Sequence, residues 1–151
     1  MTHSFMQLNC KAKAEPVAVQ EPIDVPQSAE ELYKRALAFR SGRGVERDRE
    51  KAVEFYTRAA NAGSVEAMFE LGHLYKLGNF VPKSERQARR YFEMAYQAKH
   101  PSAAYELARL LEYSDKRRAT HYLCIATQEG NKRSDAISIL RIRFGGAAAC
   151  K

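Results

Sequence analysis

From residue 29 onward, apolar residues return at spacings of three and four, and short polar stretches cut the pattern into seven amphipathic segments. This pattern predicts helices at 29–41, 48–62, 65–77, 84–98, 101–113, 116–129 and 133–144. Ser28 and Glu31 form a capping box: a hydroxyl faces the first free amides, and a carboxylate three residues on reaches back. Asp48, Ser84 and Asp115 each stand four residues before an alanine (Ala52, Ala88, Ala119), which places them to accept hydrogen bonds from the opening turn of a helix. Residues 1–27, interrupted by Pro16, Pro22 and Pro26, carry neither a helical nor an alternating period. The expected organisation is a disordered tail over 1–27, a helical repeat domain over 28–146 and a frayed end over 147–151.

Shifting the chain by 36 residues superposes it on itself. Gly42 falls on Gly78, Val45 on Val81, Ala52 on Ala88 and Ala59 on Ala95, and Phe55 and Tyr56 fall on Tyr91 and Phe92. A second shift puts Ala67 on Ala103, Glu70 on Glu106, Leu71 on Leu107 and Leu74 on Leu110. Each copy is two helices, one carrying small residues and the next alternating them with bulky rings, so the unit is a closely packed helical hairpin. Gly72 marks a place where a neighbouring backbone can come close. The expected fold is all-α, an α-solenoid of about three and a half hairpin repeats with a C-terminal capping helix. Ile137, Leu140 and Phe144 supply the covering stripe of that last helix, with Arg141 and Arg143 on its wet side.

These residues resemble the Sel1-like repeat family, relatives of the tetratricopeptide repeat with a longer loop. The first copy carries Gly42, Gly44, Val45, Asp48, Lys51, Ala52, Phe55, Tyr56, Ala59, Ala60 and Gly63; the second adds Ala67, Leu71, Gly72, Tyr75 and Gly78. The resemblance spans roughly 29–130. Phe80 and Pro82 stand where the family has small loop residues, Lys99 stands where it closes on glycine, and 114–118 is short for the usual loop. Members of the family act as adaptors and scaffolds, often in bacterial signalling or host interaction. The resemblance therefore implies a binding module with no catalytic residues.

Composition narrows the picture. No apolar run approaches the roughly 20 residues needed to span a bilayer, and the start has no charged head followed by an apolar stretch. Cys10, Cys124 and Cys150 are odd in number and far apart, which reads as unpaired thiols in a cytoplasmic protein. The net charge of +7 is uneven. Residues 1–27 hold two bases and three acids, 28–82 nine and eight, and 83–151 fourteen and seven, so the excess lies in the C-terminal half. That half would attract an acidic protein or a phosphate backbone; the alternative is an ordinary solvated face.

The repeat period also exposes a candidate surface. Tyr33, Phe69 and Tyr105 lie one period apart on successive first helices, with Leu37, His73 and Arg109 four residues on and Arg40, Lys76 and Glu112 seven on. First helices line the hollow of such arrays, so these residues are expected to bind a peptide or helix segment of another protein. The alternative is that the same rings simply pack between repeats. A basic edge is expected from Lys83, Arg86, Arg89, Arg90, Lys116, Arg117 and Arg118. Nucleic acid is disfavoured because aromatic rings are not interleaved with these bases. His121 and Cys124 have no second pair at ligand spacing, and no phosphate loop or nucleophile motif occurs, so no metal, cofactor or catalytic residue is assigned.

Overall fold

The computed structural model describes residues 28–129, 133–146 and 150. The tail and most of the frayed end expected from the sequence thus lie outside the described residues. Seven helices follow one another: α1 (Ala29–Ser41), α2 (Arg49–Asn61), α3 (Val65–Leu77), α4 (Glu85–Gln97), α5 (Ala103–Leu111), α6 (Lys116–Glu129) and α7 (Arg133–Arg143). No strand occurs among the described residues.

The caps fall where side-chain chemistry puts them. Ser28 Oγ accepts from the Glu31 amide at 3.2 Å while the Ser28 amide donates to Glu31 at 3.0 Å. The amides of Lys51, Gln87 and Arg118 donate to Asp48, Ser84 and Asp115 at 3.0, 3.3 and 3.0 Å. Ser64, which the spacing does not single out, does the same for Ala67 at 3.2 Å. Each such cap stabilises its helix by about 1 kcal/mol. α5 begins later than the periodicity predicts. Pro101 and Ser102 form a turn in which the Ala103 amide closes onto the His100 carbonyl at 3.1 Å, and Ser102 makes no side-chain cap.

The helices pair as α1–α2, α3–α4 and α5–α6, and α7 packs on α6 as an unpaired last helix. Each first helix also completes the core of the hairpin before it. Ala67, Leu71 and Leu74 of α3 join Leu32, Ala36, Phe55 and Tyr56 in one buried cluster. Leu107 of α5 joins Ala88 and Phe92, while Ala136 and Leu140 of α7 join Ala108 and Leu123. Leu71, Leu107 and Leu140 therefore occupy one repeat position. In α1 that position is Arg35, whose guanidinium lies over the Phe55 ring at 5.9 Å, beside Arg58 at 5.0 Å. A second position, held by Ala36, Gly72 and Ala108, meets the bulky residue of the partner helix. At Gly72 a Cβ would come within 2.5 Å of the Phe92 ring. Among the described residues α7 has no partner helix, and the equivalent residue is the exposed Arg141. Of the expected covering stripe, Leu140 is buried and Phe144 partly buried, but Ile137 is 40% exposed.

Two loop substitutions carry a backbone cost. Lys99 (φ 65°) takes the left-handed conformation that Gly63 (φ 97°) takes one period earlier, and Phe80 (φ 67°) does so for Gly44 (φ 74°). Phe80 offsets part of this by packing on the first core and receiving Arg49 over its ring at 5.3 Å.

The cysteines depart from the sequence reading. Cys124 and Cys150 form a disulfide with a Cα–Cα distance of 5.6 Å. A linear reading has no means of bringing two residues 26 apart together, because the turn of α7 back onto α6 is a tertiary property.

Candidate partner-binding surface

First helices lie side by side, and a row of ion pairs joins them. Arg40 of α1 reaches Glu70 of α3 at 2.9 Å, and Lys76 of α3 reaches Glu106 of α5 at 2.5 Å. The third step reverses polarity: Glu112 takes Arg143 of α7 at 2.6 Å, and Arg143 also donates to the Tyr113 hydroxyl at 2.8 Å. Arg40 and Lys76, two of the cations expected on this face, are thus neutralised between repeats. Their partners are legible in hindsight, since Glu70 and Glu106 also lie 36 apart, each 30 residues beyond its base.

The aromatic row is regular in sequence but not in exposure. Tyr105 is 8% exposed and belongs to the third core. Phe69 is half-buried, stacked on His100 at 3.8 Å and in edge contact with His73 at 4.7 Å, with Phe92 behind at 5.5 Å. Burial holds His73 and His100 below the ordinary imidazole pKa, against the opposing pull of Glu106 on His73 and of Glu66 on His100. No sequence signal links His100 to Phe69, because the contact is made by the turn that precedes α5.

Tyr33 differs from the other two rings. It leans on Tyr56 at 5.9 Å and keeps one side open to a hollow of about 540 Å³ between α1 and the start of α3, lined also by Leu37, Lys34, Gly63, Val65 and Glu66. A second hollow of about 390 Å³ shares Lys34 and Leu37 and continues past Arg40 to Arg43. Arg109 is exposed over the Tyr105 ring at 6.0 Å.

On the second-helix layer, Lys83, Arg86 and Arg90 are exposed and Arg89 is half-exposed. Arg118 reaches back from α6 to Glu93 of α4 at 3.3 Å, and Lys116 lies over Phe144 at 5.6 Å. Among the described residues Lys83, Arg86, Arg89, Arg90 and Arg117 make no ion pair. No three metal-ligating side chains converge among the described residues, and none of their helices is long and apolar enough to cross a membrane.

Stacked hairpins with a ladder of inter-repeat contacts define a helical repeat scaffold. The chain belongs to the Sel1 repeat family: the repeat pattern matches residues 32–64, 65–100 and 101–131. It is similar to the ERAD-associated E3 ubiquitin-protein ligase component HRD3B of Arabidopsis thaliana, at 38% identity over 40% of this chain and 10% of the relative. Chitin synthase regulatory factor 3 of Schizosaccharomyces pombe is 34% identical over 56% of this chain and 9% of its own length. The chain thus spans about a tenth of these curated relatives. Two solved structures share the fold over 78% of the chain: a Sel1 repeat protein from Oxalobacter formigenes (TM-score 0.67, 23% identity, 51% of that chain) and a protective antigen of uropathogenic Escherichia coli (TM-score 0.70, 22% identity, 26% of that chain).

Proposed function

We propose that this domain is a non-catalytic adaptor that holds a segment of another protein on the hollow side of its first helices. The observation that carries this reading is the pair of joined hollows along α1, where Tyr33 and Leu37 offer apolar area and Lys34 and Arg43 sit at the edge. With Arg40, Lys76 and Glu112 already paired within the array, the partner is selected by apolar fit more than by charge. Relatives named as a ligase component and as a regulatory factor support an accessory, partner-holding role.

A displayed peptide library selected on the wild-type protein tests the proposal. Peptides so obtained should bind Tyr33→Ala more weakly by about 1–3 kcal/mol, roughly a 5- to 150-fold loss, with little change between low and high salt. Equal binding to both proteins would remove the anchor role of Tyr33.

A second reading rests on the five unpaired bases of the α3–α4 loop, α4 and α6. These form a face for an acidic protein or, less well, a nucleic acid. Affinity that falls steeply with salt and with Arg86→Glu, but not with Tyr33→Ala, would favour it.

A further inference from the structure

α7 is the one described helix without a second helix of its own. Among its described residues Ala136 and Leu140 are buried and Ile139 partly buried, with Phe144 just beyond it partly buried too. Polar contacts add Arg143 on Glu112 and Tyr113, and Lys116 over Phe144. At 11 residues it is too short to be helical in isolation. What it covers is apolar: Ala104, Tyr105, Ala108, Leu123 and Ala126 of α5 and α6.

The disulfide bears directly on this attachment. Cys124 lies within α6 and Cys150 beyond α7, so the bond closes a loop that contains the whole helix. Closing the loop keeps α7 close to its docking face and lowers the entropy lost when it packs. Cys150 is exposed and Cys124 half-exposed, which leaves the bond open to attack by small thiols. We infer that Cys124–Cys150 is a redox latch for the C-terminal cap: oxidised, it keeps α7 on the α5–α6 face; reduced, it lets α7 detach and uncovers that face.

The chemistry is ordinary exchange with a low-molecular-weight thiol such as glutathione. Its thiolate attacks one sulfur, giving a mixed disulfide and one free cysteine thiolate. A second glutathione thiolate resolves the mixed species, leaving oxidised glutathione and, after uptake of two protons, two cysteine thiols. Closure is the reverse, with oxidised glutathione as the two-electron acceptor. Opening also changes the first-helix surface, because α7 carries Ile142, 80% exposed, in register with Leu37, His73 and Arg109.

The test uses the full chain equilibrated with oxidised or with reduced glutathione. Alkylation followed by mass measurement counts free thiols, and amide hydrogen exchange compares α7 with α1–α4. One reactive thiol when oxidised and three when reduced are expected, with exchange in α7 at least tenfold faster in the reduced form and α1–α4 unchanged. Cys150→Ser should exchange rapidly at α7 under both conditions. Three reactive thiols after oxidation, identical α7 exchange in both forms, or loss of protection throughout α1–α4 on reduction would each overturn the latch.

Discussion

Lys76 Nζ and Glu106 meet where α3 passes α5, with the Lys76 side chain 20% and the Glu106 side chain 10% exposed. Arg40 and Glu70 make the same contact one repeat earlier in a wetter setting. An ion pair held mostly out of water gains little over an apolar pair, but losing one partner strands the other. Lys76→Ala should therefore lower stability by about 2–4 kcal/mol, and Arg40→Ala by about 1 kcal/mol or less. Urea denaturation of both variants measures the difference, and equal losses would mean that burial does not set the strength of this ladder.

Tyr56 is fully buried in the first core, and its hydroxyl has no hydrogen-bond partner among the described residues. Burial drives its pKa far above the ordinary phenol value, so the group stays neutral but unsatisfied. The second repeat has Phe92 at this position. Tyr56→Phe should raise stability by about 1 kcal/mol, read as an upward shift of the thermal midpoint.

Gly72 lies under the ring of Phe92, and a methyl group added there would press on a side chain that is itself fully buried. Overpacking costs roughly 1–3 kcal/mol, offset by about 1 kcal/mol of better helix propensity. Gly72→Ala should lose up to about 2 kcal/mol net. Adding Phe92→Leu should recover part of that loss, since the third repeat already combines Ala108 with Leu123. A double-mutant cycle with no favourable coupling would show that the ring is not what limits this position.

His73 and His100 sit on either side of Phe69 with pKa values depressed by burial. Glu106 and Glu70 pull His73 upward, and Glu66 and Glu70 pull His100 upward, yet desolvation, aided by Lys76 at His73 and by His73 at His100, outweighs them. In the unfolded chain both titrate near the ordinary value of about 6.5. The unfolded state therefore binds more protons in the window between the depressed values and 6.5. Stability is complete above that window and falls as pH drops through it. Denaturation midpoints measured from pH 8 to 5 should decline below about 6.5, and the decline should shrink in a His73→Gln, His100→Gln double variant.

The fold was readable because a 36-residue period states the same hairpin repeatedly, so Gly42 and Gly78, or Asp48 and Ser84, corroborate one another. Helix ends followed from local capping chemistry, except at α5, where a turn through Pro101 and Ser102 delays the start. The candidate surface was harder. Periodicity gives the direction of Tyr33, Phe69 and Tyr105 relative to their own helices, but exposure depends on what the next hairpin places against them. His100 covers Phe69, the third core takes Tyr105, and Tyr33 borders a hollow. The pairing of Arg40 with Glu70 and of Lys76 with Glu106 was written in the same period, whereas Cys124–Cys150 depends on how the last helix folds back.

Arg35 sits where later repeats bury leucine, and Arg141 sits where earlier ones need a glycine or alanine. A second copy docking on either end would have to desolvate a guanidinium. Head-to-tail growth into filaments, the standing hazard of any self-similar stack, is thereby discouraged at both termini of the array by one side chain each.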